Sequence, residues 1–231
     1  MLFSFFIFSL FVWTLPAFGK EATLENDFVA FTFDSTKGLT QLVDKKSGIN
    51  SVGNSAGAVA NWEFQLVDKI GILAVDQLQD ADFSFSRTDK SNSLTVRWDN
   101  IDVKRDQNIV TNINVTLGVF LSDNSTISEW EFAVAINRGD PVGVWEGVIS
   151  LPLSIASDQT GELFFPNGFG HTFDNPKEST GGNMASTYPG GYCTMQFMGM
   201  GNSKSPTGVY MSALDGTGEA KGLQYSTYES S

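Results

Sequence analysis

Residues 112–119, NINVTLGV, alternate strictly between apolar side chains and polar or small ones. Ile113, Val115, Leu117 and Val119 fall on one side of this pattern. A period of two is typical of a β-strand that buries one face, because successive side chains in a strand point to opposite sides. A strand of this kind needs a second layer of structure to cover its apolar face.

The same period recurs along most of the chain, and turn residues such as Gly, Asn, Asp and Ser separate the matches. The further matching segments are residues 29–33, 62–66, 83–85, 94–98, 130–136 and 144–149. No segment predicts a helix of ten or more residues. Long antiparallel strands with one apolar face favour two sheets packed face to face. We therefore expect an all-β fold, a large antiparallel two-sheet β-sandwich of at least ten strands.

Length and charge restrict the class of protein. The chain has 231 residues, of which 41% are hydrophobic, so it is long enough to bury a sizeable core. It has 14 Lys and Arg against 26 Asp and Glu, a formal net charge of -12. This balance argues against nucleic acid and against an anionic membrane surface as partners, since both attract clustered Lys and Arg.

The single Cys and single His exclude a disulfide framework and a Cys/His zinc site. Cys193 alternates with Met195 and Phe197, which predicts a buried, unreactive thiol. No Gly-rich phosphate loop or Ser/His/Asp spacing is present. We therefore expect no cofactor and no metal.

Residues 1–19, MLFSFFIFSLFVWTLPAFG, contain no charged side chain. The apolar run is shorter than the roughly 20 residues of a membrane span, and Pro16 breaks it. Ala17 and Gly19 are the small residues that a signal peptidase reads. This segment predicts a secretory signal that is cleaved between Gly19 and Lys20, leaving one domain of residues 20–231 in an extracellular protein. An uncleaved membrane anchor is the alternative.

Two sequons agree with the secretory route. Asn114 lies on the polar side of the strand pattern at residues 112–119, and Asn124 lies in a predicted turn. We expect both side chains to be exposed and to accept glycans if the chain enters a glycosylating compartment.

The long stretch at residues 166–192 is rich in Gly, Asn, Ser and Thr, with aromatic residues embedded in it. Long loops in compact domains are usually functional or mobile. Sugars present flat C–H faces that stack on aromatic rings, while their hydroxyls pair with carboxylates and amides. We expect this stretch and the following strand end to form a carbohydrate-binding surface. The expected carbohydrate contacts are His171, Asp174, Tyr188, Tyr192 and Asp215.

Candidate catalytic groups are few. Glu129 and Glu131 are two residues apart on one strand face, and a glycoside hydrolase needs two carboxylates. The same spacing is typical of the solvated face of an amphipathic strand, and we interpret the pair in that way. No catalytic residue is assigned.

Two pairs of segments resemble a known family. LENDFVAFTFD at residues 24–34 and KGLTQLVDKKSG at residues 37–48 are similar to the opening hairpin of galactose-mutarotase-like supersandwich domains. YPGGYCTMQFM at residues 188–198 and GVYMSALDG at residues 208–216 resemble the closing strands of such domains. The resemblance extends over residues 24–225. It implies the supersandwich form of the two-sheet sandwich.

The resemblance also implies a function. Such domains stand at the N-terminus of many secreted glycoside hydrolases, ahead of a (β/α)8 catalytic barrel. Residues 20–231 contain no barrel pattern, so we expect a non-catalytic, carbohydrate-associated domain from the N-terminal part of a longer enzyme, with carbohydrate and a C-terminal catalytic barrel as partners. Working aldose mutarotases of this fold rely on histidines and a Glu, and a chain with one His does not fit that activity.

Two other classes of function stay open. One is a self-contained sugar-active enzyme, an epimerase or lyase that uses His171 with a nearby carboxylate. The other is an extracellular adhesion or structural sandwich. Fold analogy by itself does not identify a reaction.

Overall fold

The structure, a computed structural model, describes residues 21–35, 37–52, 62–76, 81–88, 92–150, 153, 161–214 and 220–227. These residues contain seventeen strands and one helical turn. The strands are β1 (Glu21–Glu25), β2 (Val29–Asp34), β3 (Gly38–Asp44), β4 (Ile49–Asn50), β5 (Trp62–Val67), β6 (Ile72–Asp76), β7 (Asp82–Thr88), β8 (Ser93–Arg105), β9 (Asn108–Leu121), β10 (Ser128–Gly139), β11 (Gly143–Ile149), β12 (Gly161–Phe165), β13 (His171–Asp174), β14 (Asn183–Tyr188), β15 (Phe197–Asn202), β16 (Ser205–Ser212) and β17 (Lys221–Ser226). The helical turn α1 is Pro176–Ser179.

The described strands form five antiparallel sheets. The sheet orders are β1-β2-β3-β4, β10-β9-β8-β7, β11-β5-β6, β13-β12-β15-β16 and β14-β17. Every strand pair is antiparallel. The predicted all-β class, with more than ten strands, is confirmed. Among the described residues the helical content is the four residues of α1, in agreement with the absence of a helical pattern in the sequence.

The opening hairpin forms as the sequence predicts. β2 pairs with β3 so that Val29 faces Asp44 and Asp34 faces Gly38. The turn after β3 is closed by the Asp44 carboxylate, which accepts hydrogen bonds from the Ser47 hydroxyl at 2.8 Å and the Lys46 N–H at 2.9 Å. These bonds lower the pKa of Asp44.

The larger of two hydrophobic cores lies under the strands of the first three sheets. The strict alternation of β9 buries Ile113, Val115, Leu117 and Val119 almost completely, as their pattern predicts. β8 contributes Leu94, Val96 and Trp98, and the Trp98 ring meets the buried Trp62 ring of β5 edge-on at 5.5 Å. Full burial of one such aliphatic side chain contributes about 1.5–3 kcal/mol, so this core is the main source of stability.

A partly buried ion pair fixes the β5–β6 hairpin to the end of β8. The Asp68 carboxylate accepts N–H groups of Ile70 at 2.7 Å and Gly71 at 2.9 Å. The Arg105 guanidinium donates to the same oxygen at 3.0 Å. The Ile70 hydrogen bond is the main reason that the pKa of Asp68 lies below its usual value, with smaller contributions from Gly71 and Arg105.

A smaller second core lies under β12, β14, β15 and β17. Its buried residues are Leu163, Phe165, Cys193, Met198 and Leu223. The predicted burial of the Cys193 thiol is confirmed. No sheet formed by the described strands combines strands before residue 150 with strands after residue 160.

The prediction of a long loop at residues 166–192 is wrong. This stretch contains β13, which pairs with β12, and β14, which pairs with β17. The helical turn α1 lies between these two strands. β13 and β14 lie at sheet edges, and much of their surface is exposed. Because these strands bury few apolar side chains, the alternation of apolar and polar residues in their sequences is weak.

Candidate functional site

The predicted site residues on β13 lie on opposite faces of their sheet. Directly opposed residues in an antiparallel pair point to the same side. Asp174 is opposite Glu162, on the outer face, whereas His171 is opposite the buried Phe165. His171 is exposed at the sheet edge, with its ring 5.9 Å from that of Phe173. The structure therefore separates His171 from Asp174.

The two predicted site tyrosines also differ in their exposure. Tyr188 is half-buried and packs against the second core, so its ring is in a structural position. Tyr192 is 80% exposed, and its backbone carbonyl accepts the Gly168 N–H at 2.8 Å. Asp215 lies outside the described residues.

Asp174 belongs to an ordered pattern on the outer face of the β13-β12-β15-β16 sheet. One row across the four strands reads Thr172, Phe164, Gly199 and Tyr210. The row beside it reads Asp174, Glu162, Gly201 and Gly208. Residues two apart on a strand share a face, so the two rows lie side by side.

Three aromatic rings form what we call the platform: Phe164, Phe197 and Tyr210. The Phe164 and Phe197 rings stack at 5.3 Å with an interplanar angle of 14°. The Phe197 and Tyr210 rings lie 5.1 Å apart. Gly199 has no side chain, so the Phe197 ring, two residues earlier on the same face, reaches the rings on both sides. Tyr210 is 64% exposed, which leaves part of the platform open to solvent.

Glycines form a trough beside the platform. Gly199, Gly201 and Gly208 line a shallow depression of about 370 Å³, with Glu162 and Thr172 at one end and Tyr210 at the other. This volume is within the range of about 300–1,000 Å³ that small-molecule sites occupy. A Cβ added at Gly201 would meet its nearest neighbour at 3.7 Å, so a side chain there would fill the trough without a backbone clash.

The turn that leads into β13 borders the platform. A Cβ at Gly170 would lie 3.1 Å from the Phe164 ring, and its φ of +85° also favours glycine. Phe169, the preceding residue, is fully exposed. The Thr194 N–H donates to the Pro166 carbonyl at 3.0 Å, which holds the Tyr192 segment beside this turn. Phe169 and Tyr192 are therefore two exposed aromatic residues on this side of the sheet.

The electrostatics of the outer face are negative. Glu162 and Asp174 oppose each other directly, and among the described residues neither makes an ion pair. No group of three or more His, Cys, Asp or Glu that could hold a metal ion occurs in the described part of the chain. The face therefore offers carboxylate acceptors and aromatic surface.

The structure gives no catalytic partner to the other candidates. Across the described ranges, the His171 side chain forms no hydrogen bond and no ion pair, so no carboxylate is in place there for acid–base chemistry. Glu129 and Glu131 are exposed on β10, as expected for the solvated face of that strand.

Sequence reasoning missed both the platform and the trough beside it. Phe164 and Phe197 are part of short apolar runs that suggest core, and the three glycines of the trough resemble ordinary turn residues. The available signal was the spacing Phe197-x-Gly199-x-Gly201, because glycines two apart in a strand leave one face bare.

The two sequons differ in their surroundings. Asn124 is exposed in the turn between β9 and β10, as predicted. Asn114 is half-buried and so less exposed than predicted, and its Oδ1 accepts the Asn100 N–H at 3.0 Å and the Asn137 side-chain amide. Both neighbouring strands bulge toward it, which alternation along β9 alone does not reveal.

Comparison with models of known protein families and with curated proteins gives no match. No helix among the described residues is long and apolar enough to cross a membrane.

Proposed function

We propose that this chain is a carbohydrate-binding β-sandwich that does no catalysis by itself and binds a neutral sugar on the platform. The observation that carries the proposal is the platform, in which Tyr210 is 64% exposed, beside a trough that ends at Glu162. Aromatic rings supply apolar surface with defined geometry, and a small number of polar groups then fix the orientation of a ligand.

The chemistry of the lining favours a neutral sugar over other ligands. C–H faces of sugar rings stack on Phe164 and Tyr210, and sugar hydroxyls donate to the carboxylates of Glu162 and Asp174. The Thr172 hydroxyl can donate or accept. An anionic ligand would meet two unpaired carboxylates and a chain of net charge -12.

The wider assignment rests on the family resemblance. In this proposal the long strands with one buried face belong to a two-sheet, galactose-mutarotase-like supersandwich, and residues 1–19 direct the protein out of the cell. The natural context is a secreted glycoside hydrolase, whose catalytic barrel packs beside this domain. The antiparallel β2–β3 hairpin supports the resemblance at residues 24–48.

A matched pair of glycine variants tests the platform. Gly201→Leu fills the trough, whereas Gly222→Leu adds the same side chain to β17, where a Cβ meets nothing within 4 Å. The full chain and both variants are titrated with a panel of neutral oligosaccharides and polysaccharides by calorimetry. We expect Gly201→Leu to abolish binding, Gly222→Leu to preserve it, and Tyr210→Ala to weaken it at least tenfold, about 1.4 kcal/mol.

Thermal unfolding of each variant serves as the folding control. The proposal fails if the parent protein binds none of the sugars. It also fails if Gly201→Leu and Tyr210→Ala bind as well as the parent.

A further inference from the structure

A second, chemically different depression lies on the outer face of the sheet that contains β8, β9 and β10. It has a volume of about 670 Å³. Its lining, which we call the amide depression, is Arg97, Asp99, Asn100, Asp102, Asn112, Asn114, Asn137 and Arg138. None of these residues belongs to the platform.

Two β-bulges create the amide depression. The register of β8 shifts between Trp98 and Ile101, and that of β10 shifts between Ile136 and Arg138. Both shifts fall opposite the same part of β9. Bulges add a residue and redirect side chains, and they are common next to binding sites. The extra residues bring Asn100 and Asn137 against β9, and Asn100 takes a left-handed φ of +61° to do so.

Hydrogen bonds between side chains hold the floor of the depression rigid. The Asn112 amide is 2% exposed, donates to Asp102 at 2.8 Å and accepts from Asn137 at 2.9 Å. Asn100 donates to Asp82 at 2.7 Å. Side chain to side chain bonds are the rarest class in proteins, at about 10–15% of the total. Their concentration here fixes the orientation of the remaining polar atoms before any ligand arrives.

Several of these fixed groups still have hydrogen-bonding capacity. Within the described residues, the Nδ2 group of Asn114 donates to no partner, and the Oδ1 atoms of Asn100 and Asn137 accept from none. Arg97 bonds Asp99 at 3.1 Å and Arg138 lies 3.7 Å from Asp102, each through one nitrogen. The other guanidinium N–H groups and the second oxygen of each carboxylate remain available.

The free groups include both donors and acceptors, and the two arginines are balanced by two aspartates. A hydroxyl both donates and accepts, so a ligand with several neighbouring hydroxyls satisfies such a surface, while a single anion or cation satisfies half of it. The lining contains no aromatic ring, so recognition does not depend on stacking. We infer that the amide depression is a second binding site, for a neutral polyhydroxylated ligand such as a monosaccharide, independent of the platform.

Nuclear magnetic resonance of the full chain, produced without glycosylation, tests this site directly. The probes are glucose, galactose and mannose, with glucuronate and glucosamine as charged counterparts. We expect a neutral sugar to shift the side-chain amide signals of Asn114 and Asn137. Asn114→Ala should weaken binding at least tenfold. Asn100→Gly, which tolerates the left-handed φ, should weaken it severalfold in a protein that still folds.

Two controls separate this site from the platform. Thr95→Val changes the same face of β8 outside the depression and should bind normally. Titration in the Tyr210→Ala background removes binding at the platform, so a shift of the Asn114 and Asn137 amide signals that persists there reports the amide depression. The inference is overturned if no neutral sugar shifts these signals, if a charged counterpart alone does so, or if the Asn variants bind as the parent does. A glycan found on Asn114 in secreted protein would also overturn it.

Discussion

Asn26 joins two turns that are far apart in the sequence, and its removal should destabilise the fold measurably. Its Oδ1 accepts the N–H groups of Phe28 at 2.8 Å and Val29 at 2.9 Å, in the turn between β1 and β2. Its Nδ2 donates to the carbonyls of Ser122 and Ser125, both at 2.7 Å, in the turn between β9 and β10. All four hydrogen-bonding positions of the amide are therefore used.

The magnitude follows from these four bonds. At a partly solvated position each bond contributes about 0.5–1 kcal/mol, so Asn26→Ala should lower the free energy of unfolding by about 2–4 kcal/mol. Asn26→Asp keeps the two accepted bonds and places a carboxylate against two carbonyl oxygens. That contact raises the pKa of the new carboxyl above its unfolded value. The variant should therefore recover stability, relative to the parent, as the pH falls through this raised pKa, and the recovery should be complete below about pH 4.

Urea denaturation, followed by tryptophan fluorescence on protein produced without glycans, measures the stability of both Asn26 variants. A change in the urea midpoint with an unchanged m-value reports a change in the free energy of unfolding. The control is Asn124→Ala, because Asn124 lies in the same β9–β10 turn with an exposed side chain. It should stay within about 0.5 kcal/mol of the parent. The reasoning is refuted if Asn26→Ala is as stable as the parent, or if Asn124→Ala loses as much.

Three further outcomes are expected. The pKa of Asp68 is lower in the folded protein than in the unfolded chain, so the ionised carboxylate stabilises the fold above about pH 4, and this stabilisation is lost as the pH falls through the folded pKa. The difference in free energy of unfolding between the parent and Asp68→Asn should therefore close in a denaturation series from about pH 6 to about pH 2. Gly139→Ala places a Cβ 2.6 Å from a carbonyl oxygen of β9 at a φ of +100°, and it should lower the free energy of unfolding by more than about 2 kcal/mol. Gly48→Ala, where the Cβ meets open space, should lower it by about 1 kcal/mol. Equal shifts of the two denaturation midpoints would contradict this. Peptide mass spectrometry of protein expressed through a glycosylating secretory host should find a glycan on Asn124 and none on Asn114, and the reverse distribution would be inconsistent with the structure.

The sequence predicts the strands of the larger core well because that core buries one face of each strand. Along β9, Val115 and Leu117 are buried, whereas Thr116 between them is not. Burial in this strand therefore follows the alternation of apolar and polar residues in the sequence. The pairing of β2 with β3 is also predictable, since residues 34–38 provide a turn with Gly38 between two apolar runs.

The candidate sites are less predictable because both depend on neighbours from other strands. Phe164 and Tyr210 become parts of one platform through their shared partner Gly199, a register that no local pattern encodes. Alternation alone predicts that Asn114 is exposed, and the two bulges beside it explain why its side chain is half-buried. Among the predicted site residues, Asp174 lies in the row beside the platform and Tyr192 is exposed, whereas Tyr188 packs against the second core.

The division of the hydrophobic interior into two cores predicts uneven protection against hydrogen exchange. The second core has five buried side chains and supports the sheet that carries the platform, whereas the first has many more. Amides of β12 and β15 should therefore exchange through partial openings that leave β8 and β9 closed. A sugar bound on the platform would slow exchange in the first pair of strands and not in the second, since a ligand stabilises only the states that bind it.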